Sequence, residues 1–293
     1  MKRQLAFLGR LCAILSVLAA VSVAGCAKKD KEKDKDKDQK PHAVQINAEI
    51  NSAPWARLLA KYVDEKGLVD YARWKEDRTD RDSLRMYVEA IAKKPNPAAG
   101  GVERVSALAN AYNALTISWI LENYPIRSIR ATRHGFTEKR FTVGGEKVSL
   151  DDIEKNSLAP IGGYRIHGLI SCASRSCPPL ARDAFGAAKI EDQMNRGMAV
   201  WLAREDLNTF HPDQKTVEIS QVFQWNAGDF DKAGGVQKVL ARHAPPGFRD
   251  FLRGKDFKIS YKTYDWGLND QGGEGHHYSR IRQGIDALRD RLR

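Results

Sequence analysis

VERVSALANAYNALTISWILEN, residues 102–123, is the longest apolar-periodic segment of this 293-residue chain. Val105, Leu108, Ala109, Tyr112, Leu115, Thr116, Trp119 and Ile120 recur at steps of three and four and cover a wide sector of a helix. So wide a sector leaves little polar face for water, and the segment predicts a central, largely buried helix. Tyr124-Pro125 ends it, because a proline disfavours helical backbone at the residue before it. Asn110 and Asn113 stand three apart on one face of this helix. Asparagine is a poor mid-helix residue, so both are expected to make tertiary hydrogen bonds, either holding a neighbouring loop or lining a cleft.

Working outward, Trp55, Leu58, Leu59, Tyr62 and Val63 form one face of an amphipathic helix, with Ser52 as its N-cap and Gly67 at its end. Leu68-Val69-Asp70-Tyr71 reads as a short extended piece. Leu84, Tyr87, Val88 and Ile91 mark a second helix, stopped by Pro95 and Pro97. Phe141 to Leu150 turns on Gly144-Gly145 as a hairpin, and Ser149 with Asp152 makes a capping-box pattern for a helix over 150–158. Arg165 to Ser171 reads as a strand carrying His167. Further helices are predicted over 186–204, 232–242 and 246–252, and strands over 216–219 and 257–261. The expected fold class is α+β: a helix-rich single domain with a small, mainly antiparallel sheet, the long central helix packing on the His167 strand. Without βαβ alternation a doubly wound sheet is not expected.

At the N-terminus Lys2, Arg3 and Arg10 precede the apolar run Leu11 to Ala20 and then Val23-Ala24-Gly25-Cys26. The run is too short to span a bilayer and is followed at once by charge, the layout of a secretory signal peptide. Small residues directly before a cysteine resemble a bacterial lipobox. That resemblance implies cleavage before Cys26, lipidation of its thiol, and a membrane anchored through two acyl chains. Residues 26–50 then read as the lipidated cysteine and a Lys/Asp-rich disordered tether, 51–270 as the globular domain, and 271–293 as a Gly-rich linker and charged terminal helix. Ala27 is compatible with outer-membrane sorting in bacteria that use an Asp-based retention signal.

Net charge is +11, and most of it lies beyond residue 40. A basic surface suits anionic lipid or an envelope polymer, or is simply solvated. Export leaves little access to nucleic acid, so that partner is excluded. With Cys12 in the signal and Cys26 lipidated, Cys172 and Cys177 remain in a compartment that favours disulfides.

The densest chemistry is Arg165-Ile-His167-Gly-Leu-Ile-Ser171-Cys172-Ala-Ser174-Arg175-Ser176-Cys177-Pro-Pro179. Cys172 is a candidate thiolate nucleophile and His167 its base, with Arg175 lowering the thiol pKa or binding an anion. Ser174 and Ser176 join Arg175 as candidate binding residues. Alternatively the two cysteines pair, and a loop of this size would gain about 2 kcal/mol in the chain-entropy model. A strand would also put His167 and Cys172, five apart, on opposite faces, so they meet only if it ends before Cys172. Asp265 and Trp266, in Tyr264-Asp-Trp-Gly-Leu-Asn269, are candidates to orient a histidine and flank a cleft. Two cysteines do not make a structural zinc site, and Gly100-Gly101 and Gly272-Gly273 lack the Gly-Lys-Ser/Thr of a phosphate loop; neither metal nor cofactor is expected.

Val69-Asp70-Tyr71, Asn110 to Thr116, Tyr124-Pro125, Ser149 to Glu154, Arg165-Ile166-His167, Ser171 to Leu180, Val222 to Trp225 and Tyr264 to Asn269 together resemble the family called domain of unknown function 547. The resemblance covers about residues 55–269 and implies that these segments form one domain; the family's activity is unassigned. Where members often carry Phe-Trp ahead of the Asn-Ala-Tyr-Asn motif, this chain has Ala107-Leu108. Two functions follow as expectations. One is a membrane-tethered envelope module that binds or assembles with a polymer or protein partner. The other is a thiol-dependent hydrolase or transferase on peptide or amide bonds, with Cys172 as nucleophile, His167 as base and Asn110 or Asn113 as orienting group.

Overall fold

The computed structural model describes residues 42–254 and 256–272. Every described residue belongs to one compact unit. The expected signal peptide and lipidation site at Cys26, the charged stretch over 28–40 and the expected terminal helix lie outside the described residues.

The fold is α+β and helix-rich. Helices α1 (Ala53–Tyr62), α2 (Tyr71–Glu76) and α3 (Arg78–Ala92) lead to α4 (Gly101–Asn123). As its all-round apolar pattern predicts, α4 is buried over most of its length, Val105 to Leu121, Asn110 and Asn113 included. Strands β1 (Phe141–Val143) and β2 (Glu146–Val148) pair antiparallel across Gly144 and Gly145, both at positive φ, where a side chain would be strained. Ser149 and Asp152 form the expected reciprocal capping box at the start of α5 (Leu150–Ile153). The chain then widens into a single π-turn (Glu154–Leu158) before α6 (Ala159–Gly162).

After α7 (Ile190–Leu202) come β3 (Thr209–His211) and β4 (Thr216–Ile219), then α8 (Val222–Trp225), α9 (Ala227–Lys232), α10 (Val236–His243), α11 (Arg249–Gly254) and β5 (Lys258–Tyr261). The second sheet has order β3-β4-β5, with β3–β4 antiparallel and β4–β5 parallel. One hydrophobic cluster gathers α1 to α4 and the hairpin; a second gathers α7 to α11 and the three-stranded sheet. Val44 and Ile46 are fully buried in the first, so the packed chain begins ahead of residue 51, within the stretch expected as tether.

The expected strand over 165–171 is instead a 3₁₀ segment (Gly163–Gly168) followed by irregular chain, so α4 does not pack on a strand there. The apolar spacing that suggested a strand comes from a short helix buried on several sides: Tyr164, Ile166, His167 and Gly168 are all buried. Helix α7 sets its position. A Cβ on Gly168 would lie 2.7 Å from the Met198 nitrogen, and one on Gly197 would lie 2.4 Å from the Gly168 oxygen. Backbone meets backbone here, so neither glycine tolerates a side chain. Gly168→Ala is expected to cost about 1–3 kcal/mol by overpacking, a loss read as a lowered thermal midpoint at about 2–4 °C per kcal/mol. A midpoint equal to wild type would show that this contact is not as tight as described.

In the second cluster His243 Nε2 lies 2.9 Å from the Tyr164 hydroxyl. Burial first, then Arg242, Arg165 and Arg249, push the His243 pKa down from 6.5 to about 4. The unfolded chain therefore takes up this proton near pH 6.5 and the folded chain only near pH 4, so stability falls on acidification between those values. Urea midpoints measured across pH 4–7 should show this slope in the wild type and a reduced slope in His243→Gln.

Candidate active-site cleft

The 3₁₀ segment and the loop after it run between the two clusters and are fixed by side-chain amides from α4. The Asn113 carboxamide donates to the Leu169 carbonyl at 2.9 Å and accepts the Ser171 N–H at 2.9 Å. Asn110 does the same one turn earlier, donating to the Phe185 carbonyl at 2.8 Å and accepting the Phe185 N–H at 2.9 Å. A primary amide has the donor and acceptor of a peptide group, so each asparagine replaces a strand partner for chain that has none. Both hold loops, and neither lines the main cleft; Asn110 borders a separate cavity of about 190 Å³.

The main cleft has a volume of about 530 Å³ and lies where the two clusters meet, between Tyr112, the π-turn, His167, the cysteine loop, α8 and Trp266. Its centre is His167, which is 2 % exposed and flanked by two carboxylates. Asp229 Oδ2 is 3.1 Å from Nε2, and Glu154 Oε1 is 3.6 Å from Nδ1. The hydrogen bond from His167 holds the Asp229 carboxyl below the usual carboxylate range, while burial pushes the Glu154 carboxyl up. An ionised Asp229 orients the imidazole with its proton on Nε2. Nδ1 is then the basic nitrogen, facing the carboxyl that more readily keeps a proton. The Tyr112 hydroxyl, 3.4 Å from Glu154 Oε2, supports the other oxygen of that carboxyl. His167, Glu154 and Tyr112 line the cleft together, and Asp229, outside the lining, is bonded to the ring. The two carboxyl groups flank different ring nitrogens rather than a common point, and among the described residues no group of His, Cys, Asp and Glu is arranged to hold a metal ion.

Cys172 and Cys177 are joined as a disulfide, and both line the cleft. The Tyr264 hydroxyl is 3.3 Å from each sulfur and 2.7 Å from Ser174 Oγ. Burial pushes the Tyr264 pKa up, so the phenol stays protonated as a donor. The rest of the loop is tied to the Tyr264–Asn269 segment. Ser174 bridges Leu268, the Arg175 N–H donates to the Gly267 carbonyl at 2.8 Å, and Ser176 Oγ accepts the Asp265 N–H at 2.8 Å. Asp265 Oδ1 closes its own turn by accepting the Gly267 N–H at 2.8 Å, so the carboxylate that orients the histidine is Asp229 and not Asp265. Of the candidate binding residues, Trp266 lines the cleft, while Ser174, Arg175, Ser176 and Asp265 fasten the loop behind it.

The cleft mouth is aromatic. Trp225 stacks on Trp266 with centroids 5.5 Å apart and lies 4.7 Å from Tyr264; Arg130 sits 4.9 Å over Trp266. Glu154, Asp229, Tyr112 and Trp225 were not among the sequence candidates. Glu154 and Trp225 stood at the edges of segments that carried the family resemblance, and Tyr112 stood within one. Asp229, in Asn226-Ala-Gly-Asp229, had no such signal.

A helix-rich α+β chain with a histidine-centred cleft is the class that these elements define. Residues 100–202, from α4 to the end of α7, match the family model described as "Protein of unknown function, DUF547". The match takes in both asparagines, Glu154, His167 and both cysteines, while Asp229 and the aromatic mouth lie beyond it. No curated protein and no solved structure matches the chain.

With Cys12 and Cys26 replaced by Ser, neither remaining thiol should take up iodoacetamide in the native protein, and both should do so after reduction, read as intact mass. Labelling of Cys172 without reductant would show a free thiol in the cleft.

Proposed function

We propose that this chain is a lipid-anchored protein of a bacterial cell envelope, periplasm-facing, whose cleft binds an envelope component. The aromatic mouth over a buried polar floor supports the binding part most directly. Apolar area and a few fixed polar groups converge in a concavity within the size range of small-ligand sites, roughly 300–1,000 Å³. The anchor rests on the leader and on the small residues before Cys26. Among the described residues no helix is long and apolar enough to cross a membrane.

A thiol-dependent hydrolase or transferase is the second reading, favoured by Cys172 and His167 lining one cleft. It needs the disulfide open, because the thiolate is the nucleophile and a paired sulfur has no lone thiolate to offer. The disulfide therefore weighs toward binding.

One experiment in cells tests anchor and cleft together. A photo-reactive residue at Thr137, exposed and on the cleft lining, should cross-link an envelope component. The same residue at Met86, 63 % exposed on a different groove, should not. Cys26→Ser should move the chain from the membrane to the soluble fraction. Equal capture at both positions would remove the cleft reading, and unchanged fractionation would remove the anchor.

A further inference from the structure

Resting on the cleft-binding reading above, we propose that the cleft takes a saccharide, one pyranose unit with equatorial hydroxyls lying against the indole of Trp225. Trp225 is 49 % exposed and is the one large hydrophobic side chain of that exposure in the cleft lining among the described residues. Met86, Val102, Ile161, Val200 and Tyr261, the other exposed large hydrophobics, all lie elsewhere. The indole is not loose: Trp266 stacks on it at an interplanar angle of 18°, and Tyr264 packs against it at 54°. An indole so backed keeps a flat apolar surface in place at little entropic cost, since its two rotatable bonds are already fixed by neighbours.

The ligand that fits must be apolar on a flat face and polar around its edge. A pyranose with equatorial hydroxyls has that form: its axial C–H bonds make the face and its hydroxyls the rim. Behind the indole the cleft turns polar, with Asn226 beside Trp225 and Glu154 and Asp151 across from it on the π-turn and α5. Burial holds Glu154 toward its neutral form, in which a carboxyl both donates and accepts, as a sugar hydroxyl does. Charge on this wall is of both signs, Lys155 pairing with Asp151 at 2.6 Å, so no single-sign field selects a polyanion. An acyl chain would cover the indole but would offer no hydrogen bond to the polar groups of the lining, Glu154, Asp151 and Asn226.

The test uses the purified chain with three probes: a β-1,4-linked N-acetylglucosamine tetramer, a β-1,4-linked glucose tetramer and tetra-alanine. Titration calorimetry and tryptophan emission are read together. At least one sugar should bind with a change in emission. Trp225→Ala should weaken that binding by about tenfold or more, the scale of removing an aromatic anchor. Trp225→Phe should restore most of it, and both variants should keep a cooperative thermal transition, because the side chain is half in solvent. Binding of tetra-alanine in place of both sugars would overturn the saccharide assignment and leave the cleft reading standing. So would binding of no probe while the Thr137 cross-link persists. Sugar binding unchanged in Trp225→Ala would overturn the placement at Trp225. Failure of the cross-link together with all three probes would take down both readings.

Discussion

The two hydrogen bonds of the Asn113 carboxamide hold the rest of the site. A buried peptide group without a partner costs on the order of 1–3 kcal/mol, and the chain after the 3₁₀ segment has no neighbouring strand to supply one. Asn113 satisfies Leu169 and Ser171 at once, from a helix that is itself immobilised by burial on nearly every side. The bonds fix the chain immediately before Cys172 and just after His167. The disulfide and the Tyr264 contact are made by the residues that follow this anchored stretch, and Asp229 orients the imidazole that precedes it.

Electrostatics then divides the labour within the cleft. The two carboxyl groups beside one imidazole are driven in opposite directions, Asp229 down by its hydrogen bond and Glu154 up by burial. Such a divergence assigns one group to orient the ring and the other to hold a proton. Glu154 stands where α5 passes into the π-turn, so the regular helix before it sets its direction and the extra residue rotates only the side chains that follow. The disulfide has a complementary effect. It removes the strongest nucleophile from the cleft while keeping the loop rigid, which suits recognition better than covalent chemistry.

Much of the fold was legible in the chain. The wide apolar sector of α4, the Gly144-Gly145 hairpin, the Ser149/Asp152 capping box and the proline stops are local signals, and local structure follows them. The segment over 165–171 was misread for a reason that is not local. Period-two alternation cannot be told from a short helix buried on several sides, and a contact with α7, far along the chain, decides between them. For the site, the asparagines, His167, the cysteines and Trp266 were visible as residue types out of place or densely clustered. Asp229 was not, because a single acid on a short helix has no pattern, and only the packing of α9 against the 3₁₀ segment brings it to the ring.

The contact between Gly168 and Gly197 has a consequence for how the cleft can work. With no side chains between them, the main chains of the 3₁₀ segment and α7 touch like two machined surfaces, and no rotamer change can shim them apart. The wall bearing the imidazole is thereby set at a fixed gauge. An occupant would be sorted by whether it already fits that wall.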